Sequence, residues 1–109
     1  MAHYIVTGNY TSAAMKGMIA KPSDREAAVR TLIESSGGKL KSFLLTTGDT
    51  DYSMIVETSD LTAMLAALMV AGASGATSNL KTVQAFTSAE FTAAQQKAGQ
   101  IAAKYANPA

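Results

Sequence analysis

Residues 46–57 read TTGDTDYSMIVE, and this stretch decides the fold. Its second half is rich in β-formers and predicts a strand, as does the run of residues just before it. Between the two, residues 48–51 have the composition of a turn, because glycine accepts a positive φ and aspartate side chains bond nearby backbone groups. Two extended runs joined by a short loop of this kind predict a β-hairpin.

Extended and helical patterns alternate on both sides of this hairpin. A first strand is predicted at residues 4–7 and a fourth at residues 80–86. Ahead of the hairpin, a capping box formed by Ser23 and Glu26 predicts the start of a helix, and Gly37 predicts its left-handed end. Behind the hairpin, apolar side chains at helical spacing predict one continuous packing face, made of Leu61, Met64, Leu65, Leu68 and Met69.

The order of these elements predicts the fold class. It is β-α-β-β-α-β with one more helix, which opens at a capping box from Thr87 to Glu90. Right-handed crossovers place the first and third strands in the centre of the sheet. The sequence therefore predicts an α+β, ferredoxin-like βαββαβ antiparallel sheet, with a domain at residues 1–92 and a C-terminal helical extension at residues 93–109.

Composition excludes several classes of function. The 109 residues suit a single domain, and nine lysines and arginines stand against eight aspartates and glutamates, for a net charge of +1. These charges are spread along the chain, which disfavours nucleic acid and anionic membranes as partners. The chain has no cysteine, hence no disulfide and no thiolate metal site. With no recognisable signal peptide or spanning segment, a cytoplasmic protein is expected.

Three predicted strands contain unbroken apolar runs, at residues 4–6, 43–45 and 54–56. A sheet covered on one side alternates apolar and polar residues, whereas these runs indicate cover on both sides. The C-terminal helix is one possible cover, which would leave a monomer. The sheet of a second, identical subunit is the other, and we favour it, as a homodimer or a higher homo-oligomer formed through the sheet face.

Several short motifs, in this order, resemble the GYD domain family. They are residues 4–6, the run 37–43, the turn before Val56, and residues 85–91. Of the name-giving residues, Gly48 and Asp51 match, whereas Thr50 replaces the tyrosine and Tyr52 follows the aspartate. The resemblance spans about residues 2–92. It implies a small bacterial protein of the dimeric α/β barrel type, whose relatives in fold include cofactor-independent monooxygenases, isomerases, dehydratases and plain binding modules.

Three side chains are candidates for catalysis. His3 is the only histidine, and it is a candidate general base at the mouth of a barrel. Asp51 beside Tyr52 is a carboxylate next to a phenol, a pair that can orient or deprotonate a substrate hydroxyl. The structural alternatives stay open: His3 as an exposed residue at a strand start, Asp51 as a turn residue, and Tyr52 as a ring packed on the sheet.

A ligand pocket is predicted between the first and fourth strands, lined by Thr7, Asn9, Thr82 and Gln84. No metal site and no cofactor are predicted. Because no nucleophile, base and orienting group stand together, we expect a self-associating domain that binds a small hydrophobic molecule or serves in assembly. The alternative is a small cofactor-independent enzyme, of the isomerase or monooxygenase type, working in a barrel pocket.

Overall fold

The computed structural model describes residues 1–106 and 108. Residues 107 and 109, at the end of the predicted extension, lie outside the described residues. The elements follow in the order β1 (Ala2–Tyr10), α1 (Ser12–Ala20), α2 (Arg25–Ser35), β2 (Lys39–Leu45), β3 (Tyr52–Thr58), α3 (Leu61–Ala73), β4 (Thr77–Ala85) and α4 (Ser88–Ala102).

The four strands form one antiparallel sheet in the order β2-β3-β1-β4. The predicted hairpin is confirmed, since Leu45 at the end of β2 faces Tyr52 at the start of β3. β1 and β3 lie in the centre, as the right-handed crossover rule requires. The α+β, ferredoxin-like fold predicted from the order of elements is therefore confirmed.

β4 is longer than predicted because of a bulge. Between the pairs Thr7–Lys81 and Asn9–Ser78, β4 has two residues where β1 has one. The extra space is taken up at Asn79, whose φ is 54°, a conformation that asparagine tolerates better than most residues. Because pairing resumes beyond the bulge, β4 begins at Thr77 and not at the predicted residue 80.

Helices α2 and α3 cover one face of the sheet. The buried hydrophobic residues there are Tyr4, Val6, Ile33, Leu40, Tyr52, Met54, Val56, Met64 and Ala67. The predicted packing face of α3 is too wide: Leu61, Leu65 and Met69 are 57 to 66% exposed. A helix presents only one stripe to a sheet, and on α3 that stripe includes Met64 and Ala67.

The start of α2 also differs from the prediction. The N-cap is Asp24, whose carboxylate accepts from the backbone N–H of Ala27 at 3.1 Å. Ser23 therefore does not form a capping box with Glu26, which instead pairs with Arg30 one turn later at 3.0 Å. Both serine and aspartate are strong N-caps, so the local sequence did not distinguish two adjacent candidates.

Helix α4 leaves the sheet uncovered. The predicted capping box at its start is confirmed, with Thr87 and Glu90 bonding each other's backbone N–H. No residue of α4 is buried, and Phe91 and Ile101 are more than 60% exposed. The side of the sheet opposite α2 and α3, here called the open face, thus has no cover from α4. The helix runs across residue 92, and a domain division there stays a prediction.

Candidate functional site

The open face has an apolar centre. Ile5 on β1 lies directly opposite Ile55 on β3 and Val83 on β4, so that three β-branched side chains form a row across the sheet. Val83 is 57% exposed. Leu44 on β2 extends the apolar surface, at 66% exposed. Such a row is typical of a sheet face that packs against another layer.

A charged cluster lies at one end of the open face. The Nε2 atom of His3 lies 3.3 Å from Oε2 of Glu57, its cross-strand neighbour, and Lys41 Nζ lies 3.9 Å from the same oxygen. The other ring nitrogen of His3, Nδ1, is buried without a hydrogen-bond partner. One imidazole nitrogen is thus engaged by a carboxylate and the other is shielded from solvent.

Asp51 fastens the hairpin loop to β1. Its carboxylate Oδ2 accepts from the backbone N–H of Tyr10 at 2.8 Å and from Nδ2 of Asn9 at 3.4 Å. Its own backbone N–H donates to the carbonyl of Gly8 at 2.9 Å. The loop between β2 and β3 is therefore attached to the end of β1 by both main-chain and side-chain hydrogen bonds.

Tyr52 joins all four strands. From β3 its ring lies over Gly8 of β1, where a Cβ would be 2.7 Å from Tyr52 Cζ. It stacks on Phe43 of β2 at 6.0 Å between ring centroids, and the Tyr10 ring lies 5.2 Å away. Its hydroxyl is hydrogen-bonded to that of Thr77 on β4. Only glycine at residue 8 leaves room for this arrangement.

These tyrosines make stability fall at alkaline pH. Burial raises the pKa of Tyr52 and of Tyr10 above the ordinary value, so the folded chain holds these protons more tightly than the unfolded chain. The resulting stability is fully present below about pH 10, the ordinary pKa of tyrosine, and is lost as the pH rises through the folded pKa. Urea unfolding between pH 8 and 11 should show this loss. Tyr52→Phe should reduce the loss of stability at alkaline pH, whereas Tyr105→Phe, at an exposed position, should not. If the two variants lost stability equally with rising pH, this assignment would be contradicted.

A cleft lies beside α1, and Tyr10 and Arg25 stand in its walls. Three cavities share these two residues, with volumes of about 430, 90 and 300 Å³. Arg25 is the first residue of α2, and its Nε atom is buried with no hydrogen-bond partner. Burial raises the pKa of Tyr10, and the positive charge and hydrogen-bonding of Arg25 offset part of this rise. The cleft therefore contains a phenol beside a cation that forms no ion pair among the described residues.

The structure does not bring the three predicted catalytic residues together. His3 pairs with Glu57, whereas Tyr52 pairs with Gly8 near the other end of the same strands. These positions are five residues apart along β3, or about 17 Å along a strand. Asp51 adjoins Tyr52, but its carboxylate points back to β1. A catalytic role for His3, Asp51 and Tyr52 stays a prediction.

The predicted pocket residues lie on two different faces. Thr7 pairs with Lys81 on the open face, whereas Thr82 and Gln84 pair with Val6 and Tyr4 on the helix-covered face. Asn9 shares the face of Thr7 and bonds the hairpin loop. The four side chains thus do not converge in the single chain, and a binding role for them stays a prediction.

Sequence reasoning missed Arg25 and Tyr10 as candidate residues. Arg25 stands just inside a helix start and Tyr10 at a strand end, both common places for ordinary residues. Only the packing of α2 beside the end of β1 brings them into one cleft. Two methionines of α1 also stand in the walls of this cleft: Met18 lines two of the cavities and Met15 one of them.

Within residues 1–106 and 108, no three His, Asp or Glu side chains are grouped so that they could hold a metal ion. None of the helices described is both long enough and apolar enough to cross a bilayer.

Comparison with known families decides the relationship of this chain. The model of the GYD domain family matches residues 4–94. The chain belongs to the GYD domain family. The resemblance drawn from the sequence motifs is thereby confirmed. No curated protein matches this GYD-domain chain.

Solved structures with a similar fold are distant in sequence. The protein TTHA0845 from Thermus thermophilus is 16% identical, with a TM-score of 0.51 over 81% of this chain and 96% of that one. The transcriptional regulator NMB0573 from Neisseria meningitidis, solved as a complex with L-Met, is 12% identical, with a TM-score of 0.51 over 80% of this chain and 51% of that one. The MtbAldR structure is 15% identical, with a TM-score of 0.53 over 79% of this chain and 52% of that one. At these identities the likeness extends to the fold alone.

Proposed function

We propose that this GYD-domain protein is a small-molecule-binding domain that self-associates through its open face. The observation that carries the proposal is the uncovered apolar row of Ile5, Ile55 and Val83 in the middle of that face. Folded chains seldom leave a contiguous apolar patch in water, because burying it contributes roughly 25 cal/mol per Å². We therefore expect the open face to be buried against a partner.

A second copy of the chain suits this face. The charges at its end are already paired within the chain, since Glu57 contacts both His3 and Lys41. An identical partner would therefore meet no unpaired carboxylate at that end, and Lys81, toward the other end of the face, is the charge that two copies must keep apart. A two-fold contact places the same patch on both subunits, and stacked sheets pack about 10 Å apart with their apolar residues interdigitating. The net charge of +1 adds little repulsion between copies.

The ligand-binding half of the proposal rests on the cleft beside α1. Its cavities of about 430 and 300 Å³ lie within the range of small-molecule sites. The N. meningitidis regulator, whose fold is similar, was solved with L-Met. This is support by analogy of fold, which permits but does not specify a ligand for the present chain.

A pair of substitutions on β4 tests self-association. Val83 and Thr82 are adjacent, exposed and β-branched, and they lie on opposite faces of the sheet. Val83→Lys places a charge in the apolar row and should convert the assembly to monomers, because the buried charge would have no partner. Thr82→Lys places the same charge on the other face and should leave the assembly intact. Light scattering during size-exclusion chromatography measures the mass directly.

Each outcome of this comparison is informative. A wild-type chain that elutes as a monomer at all concentrations would refute self-association. An assembly that Val83→Lys and Thr82→Lys affect equally would place the interface elsewhere. Circular dichroism of both variants shows whether either has simply lost its fold.

A further inference from the structure

The charged and apolar side chains that line the cleft beside α1 are sufficient to specify a class of ligand. We infer that it binds a small organic carboxylate with an apolar body, with Arg25 receiving the carboxylate and α1 contacting the apolar part. This inference deepens the ligand-binding half of the proposed function. It does not depend on self-association.

Arg25 is the feature that points to an anion. Its Nε atom is buried and has no hydrogen-bond partner, and no ion pair found among the described residues includes its guanidinium. Because Nε is shielded from solvent, a ligand in the cleft meets the guanidinium at its terminal N–H groups. The guanidinium presents parallel N–H groups in a planar fork, which matches the two oxygens of a carboxylate.

The other charged groups of the cleft favour the same sign of ligand. Lys21 lines one cavity and adds a second positive charge. Asp51 lines another, but its Oδ2 already accepts from the backbone of Tyr10 and from Asn9. Two cations thus stand against one carboxylate that is already hydrogen-bonded to β1, so a carboxylate suits the cleft better than an amine.

The remaining wall is apolar and adaptable. Met15, Met18 and Ile19 of α1 line one side of the cavity of about 300 Å³, and Leu45 of β2 also lines it. Met15 is 41% exposed and Ile19 is 79% exposed, so both have apolar surface to bury against a ligand. Unbranched methionine side chains fit irregular apolar shapes. The body of the ligand is thus a short aliphatic or aromatic group.

A matched pair of probes tests this assignment. 4-Phenylbutyrate carries a carboxylate on an apolar body, and 4-phenylbutanamide is nearly the same shape without the charge. We expect the acid to bind saturably to the full chain in isothermal titration calorimetry, with a Kd at least tenfold lower than that of the amide. In 1H–15N spectra, the amide chemical-shift changes caused by the acid should be largest for residues of α1 and at the start of α2.

Variants of the cleft separate Arg25 from general charge effects. Arg25→Gln should raise the Kd for 4-phenylbutyrate at least tenfold, and Arg25→Lys should give an intermediate value, because lysine keeps the charge but lacks the fork. Lys16→Gln removes the same charge from an exposed position of α1 outside the cleft walls, and should leave the Kd unchanged. Thermal melts of each variant report on folding.

Three results would overturn the inference. They are no saturable binding of the acid, equal affinity for acid and amide, or an unchanged Kd in a folded Arg25→Gln variant. The oligomeric state, measured on the same samples, is independent of all three. Loss of probe binding with the assembly intact would therefore refute the carboxylate site and leave self-association standing.

Discussion

Replacing Tyr52 with alanine is expected to lower the free energy of unfolding by about 3–5 kcal/mol. The ring is 5% exposed, and it contacts Phe43, Tyr10 and the glycine surface of Gly8. Alanine would leave a cavity at the point where all four strands meet, and it would remove one of the two partners of the Thr77 hydroxyl, which also donates to the carbonyl of Asn9. Urea unfolding followed by circular dichroism measures the change.

Two control variants divide this effect into its parts. Tyr52→Phe keeps the ring and loses only the hydrogen bond to Thr77, so we expect a loss of about 1 kcal/mol. Tyr105→Ala removes a tyrosine that is 65% exposed and should change stability by less than about 0.5 kcal/mol. If Tyr52→Ala were as mild as Tyr105→Ala, the ring would not join the strands as described.

Replacing Asp51 with alanine should cost about 2–3 kcal/mol of stability, because a partly buried backbone donor would lose a charged acceptor. The donor is the N–H of Tyr10, 2.8 Å from the Asp51 carboxylate. Asn9 would lose a second, longer bond to the same oxygen. Chemical denaturation gives the size of the effect, and hydrogen exchange should show faster exchange at the Tyr10 amide.

The hairpin loop supplies its own control. Asp49 lies two residues away, and only its backbone carbonyl accepts a hydrogen bond from Asn9, while its carboxylate is exposed. Asp49→Ala should therefore alter stability by less than about 0.5 kcal/mol. Asp51→Asn keeps one oxygen acceptor and should fall between the two alanine variants. Equal stabilities for Asp51→Ala and Asp49→Ala would show that the carboxylate does not fasten the loop.

The fastened loop also shapes the cleft, since Thr46 and Asp51 stand in the wall of the cavity that Met15 and Ile19 line. One carboxylate thus fixes the hairpin to β1 and limits where a ligand can lie. For this reason a stability defect in Asp51→Ala should appear together with weaker binding of 4-phenylbutyrate. Val83→Lys, far from this loop on the open face, should change the assembly without that loss.

The sequence by itself predicted the four strands, the helices α2, α3 and α4, and their order, whereas α1 is an additional helix between β1 and α2. The hairpin followed from β-formers around a Gly-Asp turn, and the capping box at Thr87 followed from residues three apart. These features depend on interactions within a few residues, so a local pattern is sufficient to predict them. The apolar runs in the strands also predicted cover on both sides of the sheet, because a sheet covered on one side alternates with a period of two.

Only the tertiary structure decided which distant residues meet. Asp51 bonds the backbone of a residue 41 positions away, and Arg25 meets Tyr10 because α2 packs beside the end of β1. No local sequence pattern predicts such contacts, because they depend on strand register and on the placement of the helices. The same reason separated Thr7 from Thr82, because antiparallel pairing puts Thr82 opposite Val6 and so on the other face from Thr7.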